Sequence, residues 1–143
     1  MIHTVNNKAN KNIIKLGKDI LDPLDHRHKV DKINCNSCPS SYIEQTGQSV
    51  RKSMYQHGYA LTNSDKRSVL FKYYKKTGYT FDFKSPQVLD AEISRYKREF
   101  SEMLHIHAIP QTLNRKTDLN KLQYAYGKSS SIIRNISTRS PSN

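Results

Sequence analysis

The stretch from Lys32 to His57 constrains the fold more than any other part of the chain, because it places three short elements in close succession. An extended run, KIN, leads into a Cys-x-x-Cys turn, and a second extended run, SYI, follows it. The next segment, QSVRKSMYQH, predicts a helix with Ser49 as its N-cap. A strand, a turn, a strand and a helix in this order predict a compact unit that could deliver Tyr42 and His57 to one cleft.

The rest of the chain predicts one more strand and two more helices. Ser68 opens a helix that ends at Thr77-Gly78, and Gln87–Ile93 is a third strand after a proline. Ser94 caps a third helix over Arg95–His107. The apolar face of that helix is predicted to consist of Tyr96, Phe100, Met103 and Leu104.

These elements predict a small α/β (α+β) domain with a three-stranded sheet flanked by about three helices. Residues 29–126 form the domain, with Gly58–Arg67 as a polar connector and Asn114–Tyr126 as a terminal segment. Residues 1–28 are an N-terminal extension or linker. Residues 127–143 are rich in serine and are predicted to be a disordered tail.

The charge of the chain indicates a polyanionic partner. Twenty-four Lys and Arg residues against twelve Asp and Glu residues give a formal net charge of +12. A basic excess of this size favours DNA or RNA through counterion release, although it could also be a solubilising surface. No run approaches the roughly eighteen apolar residues of a membrane span, and no secretory leader is evident, so an intracellular protein, nuclear or cytoplasmic, without a membrane partner is expected.

The order of motifs between Lys29 and Tyr126 resembles the GIY-YIG endonuclease domain, in the form found at the C-terminal end of Penelope-like and related retroelement polyproteins. KVDKINCNSC and SYIEQTGQS are similar to the family's V-Y-K-I-x-C-x-x-C and Y-I-G-Q-T-G-R-S. SVLFKYYKKTGYTFDF resembles its S-A-L-x-x-H…T-G-H segment. REFSEMLHIH and QTLNRKTDLN resemble its glutamate-bearing helix and its closing asparagine segment.

The resemblance implies an antiparallel three-stranded sheet and metal-dependent phosphodiester hydrolysis. It also implies that the chain derives from a longer reverse-transcriptase-associated protein. Four family site positions are retained here. The metal ligand for Mg²⁺ or Mn²⁺ maps to Glu102, and the other retained positions are Tyr42, His57 and Asn114.

Three family site positions are changed. The first tyrosine falls on Asp31, the glycine after Tyr-Ile on Glu44, and the helix arginine on Ser53. Ser53 offers no positive charge, and the carboxylate of Asp31 would repel a phosphate unless a metal intervened. The expected protein is therefore a GIY-YIG-type DNA endonuclease domain with impaired or absent activity, a pseudoenzyme. The alternatives are a non-catalytic basic nucleic-acid-binding module and a remnant without a stable role.

Each retained residue also has a structural interpretation. Tyr42 could be a half-buried strand aromatic, His57 a packing residue at a helix end, and Asn114 a turn residue. Glu102 lies roughly 200° around the helix from Phe100, so periodicity alone favours a solvated charge. The cations expected to contact nucleic acid are Arg51, Lys52, Lys66, Arg67, Lys72, Lys75 and Lys76.

Cys35 and Cys38 have the spacing of half a zinc site. The two histidines that often complete this site in retroelement members correspond here to Tyr73 and Tyr79, although His26 and His28 could substitute. Two cysteines so close together are not expected to form a disulfide in a reducing compartment. Two free thiols without zinc are the expectation.

Overall fold

The central feature of the computed structural model, which describes residues 20–116, is a three-stranded antiparallel sheet. Strand β1 (Arg27–Asn34) lies between β2 (Ser41–Ser49) and β3 (Gln87–Ala91). Val30 and Ile33 of β1 are buried in different clusters on opposite faces of the sheet, because helices cover both faces. The predicted fold class, a small α/β (α+β) domain with an antiparallel sheet, is confirmed.

Three helices begin at the predicted serine caps. Helix α1 (Val50–Thr62) follows Ser49, α2 (Val69–Thr77) follows Ser68, and α3 (Arg95–Ala108) follows Ser94. Each serine side chain accepts a hydrogen bond from a backbone N–H of the first turn, which satisfies one of the donors that a helix start leaves open. Helix α2 ends at Gly78, whose φ of 74° is readily adopted only by a residue without a Cβ.

Two element boundaries differ from the prediction. Helix α1 continues through Gly58 to Thr62, where a polar connector was predicted, because Leu61 packs against the main core. Strand β3 ends at Ala91 rather than at Ile93. The carbonyls of the next two residues, Glu92 and Ile93, accept hydrogen bonds from Arg98 instead of pairing along the strand.

The core is divided between the two faces of the sheet. The larger cluster lies under α1 and α2 and contains Ile33, Cys35, Val50, Met54, Leu70 and Phe81. The smaller cluster lies under α3 and contains Val30, Ile43 and Ile106. Asp31, Tyr42 and Glu44 lie on the same face of the sheet as Ile33, and therefore beside the larger cluster.

The predicted apolar face of α3 is not the face that the sheet buries. Tyr96 is exposed, and Phe100, Met103 and Leu104 are only partly buried. The buried residues of the helix are Arg98, Ser101 and Ile106. Two of these three are polar, and their hydrogen bonds to β2, β3 and the connector after β3 determine the orientation of α3.

The ends of the chain are outside the described range. Predictions for residues 1–19 of the extension and for residues 117–143, which include the end of the domain and the tail, stay predictions. None of the helices within residues 20–116 combines the length and the apolar content that crossing a bilayer requires.

Candidate functional site

Glu44 lies at the centre of the residues that the sequence singled out. Its side chain is buried between β2 and α1, and Ser53 Oγ donates a hydrogen bond of 2.6 Å to Glu44 Oε1. The Nε2 atom of His57 contacts the other carboxylate oxygen. Ser53 and His57 are four residues apart and therefore share one face of α1. An ionised carboxylate can only accept hydrogen bonds, so the imidazole donates through Nε2.

Asp31 lies directly opposite Glu44 in the β1–β2 ladder and is fully buried. Neither of its carboxylate oxygens has a hydrogen-bond partner. Burial, and next the charge of Glu44, raise the pKa of Asp31 to about 7. Asp31 has no surface exposed to solvent, and the expectation that its charge repels an approaching phosphate stays a prediction.

Tyr42 is half-buried on β2, two residues before Glu44. Its ring meets the ring of His57 edge-on, with 5.7 Å between the centroids. Burial, and then the charges of Glu44 and Glu102, raise the pKa of Tyr42 to about 12. The phenol therefore stays protonated near neutral pH and cannot act as a general base there, although it can donate a hydrogen bond.

Glu102 reaches from α3 to the outer edge of β2, where it accepts a hydrogen bond from the backbone N–H of Gln45. Burial, and then the charge of Glu44, raise the pKa of Glu102 to about 7. The periodicity that favoured a solvated charge was misleading, because Ile106, one turn later, is buried on the same side of the helix. Glu102 thus lies close enough to Glu44 to respond to its charge and close enough to Tyr42 to affect that phenol.

Asn114 has a structural role in the described part of the chain. Its side chain accepts a hydrogen bond of 2.8 Å from the N–H of Ile43 and donates one of 2.7 Å to the carbonyl of the same residue. Two residues before it, Thr112 forms a backbone bridge with Ser41. The segment that ends at Asn114 thereby pairs with the outer edge of β2, which would otherwise present open backbone groups.

The open part of the site is a cleft of about 450 Å³ beside Tyr42 and His57. Asp65, Arg67 and Leu70 are among its other lining residues. Arg67 is the cation at this cleft, and it pairs with Asp65 at 3.4 Å. A guanidinium is therefore near the site, but it comes from the connector and not from the α1 position that Ser53 occupies.

The residues around Glu44 offer few side-chain ligands for a metal ion. Within residues 20–116, no three or more His, Cys, Asp or Glu side chains are arranged to hold a metal ion. Mg²⁺ often binds through one or two carboxylates together with water and substrate phosphates. Glu102 would be the protein ligand in such a complex, and a nearby cation would relieve the unfavourable charge that burial and Glu44 impose on it.

The predicted nucleic-acid-binding cations differ in how free their charges are. Lys72, Lys75 and Lys76 are exposed on α2, and Lys52 and Lys66 are exposed on α1 and on the connector. Arg51 instead donates to Asp25 at 2.7 Å and lies 3.4 Å from Asp22, so two carboxylates compensate its charge. The predicted nucleic-acid-binding cations whose charges are not compensated are therefore mainly lysines on and near α2.

The cysteine turn lies against the segment that the resemblance paired with it. Cys38 Sγ is 2.9 Å from the hydroxyl of Tyr73, and the ring of Tyr79 lies next to that of Tyr73. The Nδ1 atom of His28 lies 3.3 Å from the guanidinium of Arg98. Within residues 20–116 the side chains that meet at the cysteines are thus two thiols and a phenol, and the expectation of free thiols without zinc stays a prediction.

Arg98 is a buried residue that the sequence analysis missed. Its guanidinium donates to Gln45 Oε1 at 3.0 Å and to the carbonyls of Glu92 and Ile93 at 3.1 and 2.8 Å. A Cβ on Gly47 would lie 3.1 Å from Arg98 Nη2, so this glycine leaves room for the arginine. No apolar periodicity could reveal Arg98, because pattern analysis places arginine on the solvent side.

The described residues thus gather Tyr42, His57 and Glu102 around Glu44, with Asp31 enclosed behind it and Asn114 at the strand edge. The arrangement can donate a hydrogen bond through the phenol of Tyr42 and can offer the partly exposed carboxylate of Glu102 to a cation. It lacks a guanidinium at the position of Ser53. No family model, no curated protein and no solved structure matches the chain.

Proposed function

We propose that this chain is a GIY-YIG-type DNA endonuclease domain of retroelement derivation whose hydrolytic centre is impaired. The observation that carries the proposal is the convergence of Tyr42, His57 and Glu102 on Glu44. Tyr42 is on a strand, and His57 and Glu102 are on two different helices. All three correspond to site positions of the family that the sequence resembles. His57 contacts Glu44, and the charge of Glu44 acts on both Tyr42 and Glu102, so the three side chains lie around one carboxylate.

The impairment follows from the charges at the centre. Glu44 occupies the position where the family has a glycine, and its carboxylate would repel a phosphate oxygen. Ser53 has a hydroxyl that already donates to Glu44. Loss of one preorganised electrostatic stabiliser costs roughly 10²–10³ in rate, and here a stabilising arginine is replaced while an opposing charge is added.

A second candidate is a non-catalytic nucleic-acid-binding module. The exposed lysines of α2 and its connector favour it, together with the formal net charge of +12. Such a surface would bind DNA or RNA through phosphates, with little preference for base sequence. It requires neither a metal ion nor any contact with Glu102.

The two candidates are separated by assaying cleavage and binding on the same protein. Plasmid nicking is measured with Mg²⁺ and with Mn²⁺, and duplex binding by fluorescence anisotropy, for the parent and for Glu102→Ala. An impaired nuclease gives slow, metal-dependent nicking that Glu102→Ala abolishes while binding stays within about twofold. A binding module gives equal binding by both proteins and no nicking. Cleavage that is the same in both proteins would contradict the role of Glu102.

A further inference from the structure

The cysteine turn holds two thiols and a phenol in one hydrogen-bonded group. Cys38 Sγ lies 2.9 Å from Tyr73 Oη, and the thiols of Cys35 and Cys38 hydrogen-bond to each other. The turn itself is closed by a hydrogen bond from the N–H of Cys35 to the carbonyl of Ser40 at 3.0 Å. The two sulfur atoms are therefore held next to each other by the backbone before any reaction occurs.

The two thiols have different environments. Cys35 is buried against the larger core cluster, and Cys38 is only partly buried. Hydrogen bonds from Tyr73 and then from Cys35 lower the pKa of Cys38 to about 7, whereas burial raises the pKa of Cys35. The more accessible sulfur is thus also the one that forms a thiolate more readily, and thiolates are the nucleophiles of thiol chemistry.

We propose that Cys35 and Cys38 form a thiol–disulfide redox site, with Cys38 as the attacking thiol, Cys35 as the resolving thiol and Tyr73 as the residue that positions and stabilises the Cys38 thiolate. The proposal rests on the contacts at the turn and is independent of nuclease activity. The partner is a small disulfide such as oxidised glutathione.

The reaction balances without a further reagent. The Cys38 thiolate attacks one sulfur of the oxidised glutathione, the bond between its two sulfurs breaks, and a glutathione thiolate leaves and takes up a proton. Cys35 then loses its proton and attacks Cys38 Sγ, which releases the second glutathione thiolate. Two protein thiols are oxidised to one disulfide, and one glutathione disulfide is reduced to two glutathione molecules.

The test is thiol trapping on the full chain, which contains only two cysteines. Reduced protein is equilibrated in glutathione buffers of increasing oxidation, quenched with N-ethylmaleimide and weighed by mass spectrometry. We expect a species that has lost two hydrogens and takes up no maleimide. Cys35→Ser should accumulate a mixed disulfide with glutathione at Cys38, and Cys38→Ser should leave Cys35 unmodified.

Tyr73→Phe and Tyr79→Phe form the matched pair for the role of the phenol. Tyr73→Phe keeps the ring but removes the hydrogen bond, so alkylation of Cys38 near pH 7 should slow by about threefold to tenfold. Tyr79→Phe removes a neighbouring phenol and should leave the rate unchanged. Equal reactivity of the two cysteines, or no disulfide in oxidised buffer, would overturn the proposal. Stoichiometric zinc in the purified protein that protects both thiols would also overturn it.

Discussion

The charge of Glu44 affects a group on its own strand β2, a group on the neighbouring strand β1 and groups on two helices. It contributes to raising the pKa of Asp31, of Tyr42 and of Glu102, and it accepts the hydrogen bond of Ser53. A glycine at this position would leave all four groups in a different electrostatic environment. The single change to Glu44 therefore alters the proton affinity of Asp31, Tyr42 and Glu102 together.

Glu44→Gln should lower the titration midpoints of Asp31 and Glu102 together, because Glu44 is a source of unfavourable charge for both. Carboxyl carbon NMR across a pH series measures the two midpoints. Glu99→Gln is the matched control, since Glu99 acts on Glu102 and is not among the causes at Asp31. A Glu44→Gln protein in which only one midpoint moves would contradict a shared site.

Asp31 makes the stability of the domain depend on pH. Its pKa is about 7 in the folded domain, whereas the ordinary value for an aspartate is 3.8, so the folded chain binds the extra proton between these values. Folding stability therefore falls as pH rises from about 4 to about 7. Asp31→Val should be more stable than the parent by about 2 to 4 kcal/mol at pH 8, with a smaller gain at pH 5.

Urea denaturation at the two pH values measures this difference. Asp31→Asn is the control, because it keeps the shape of the side chain and removes the titration. Like Asp31→Val, it should weaken the pH dependence of the free energy of unfolding, even if the buried amide lowers that free energy at both pH values. A parent protein whose stability rises between pH 5 and pH 8 would contradict the buried, unpaired carboxylate.

At the level of elements, α3 is attached to the sheet by polar contacts as much as by apolar packing. Arg98 connects the helix to β2 and to the chain after β3, and Ser101 Oγ donates to Asp90 of β3. Removing a buried charged donor reduces the stability of a domain, because the neutral acceptors around it are left without a hydrogen-bond partner. The stability of this layer should therefore depend strongly on one arginine.

Arg98→Met should destabilise the domain by about 2 to 4 kcal/mol, because Gln45 and two carbonyls would lose their charged donor. Thermal or urea unfolding measures the change. Arg95→Met on the same helix is the matched control. Arg95 is largely exposed and pairs with Glu99 in an i,i+4 contact, so its replacement should change stability by less than about 1 kcal/mol. Equal effects of the two substitutions would refute the role of Arg98 in holding α3.

The elements that could be predicted from sequence are those with local signals. Ser49, Ser68 and Ser94 identify the helix starts, since a cap needs only its own first turn. The buried side of α3 could not be predicted, because it depends on which strand edges the helix meets. The hydrogen bonds of Glu44 with Ser53 and His57 could not be predicted either, although the spacing of Ser53 and His57 indicates that they share one helix face.

For the whole molecule, binding to nucleic acid should depend steeply on salt. The logarithm of the affinity for a DNA duplex should fall linearly with the logarithm of the salt concentration. Each basic residue that binds a phosphate releases counterions from the DNA, and basic residues are in excess in this chain. Replacing Lys72, Lys75 and Lys76 together by Gln should reduce the steepness by about two to three units. Fluorescence anisotropy at stepped salt concentrations gives the slope.

Arg51→Gln is the control for this surface. Asp22 and Asp25 already compensate the charge of Arg51, so the slope should change by much less than one unit. A salt-insensitive affinity would contradict binding through phosphates. An equal loss per charge in the two variants would show that net charge, rather than the surface of α2, determines binding.

Our central proposal is that the fold is that of a nuclease domain and that three residues disable its site. The most direct measurement compares plasmid nicking in Mg²⁺ and Mn²⁺ by the parent and by the combined variant Asp31→Tyr, Glu44→Gly, Ser53→Arg, after circular dichroism has shown both to be folded. We expect slow, metal-dependent nicking by the parent and markedly faster metal-dependent nicking by the variant. A folded variant that fails to nick, or a parent that nicks as fast as the variant, would contradict the proposal.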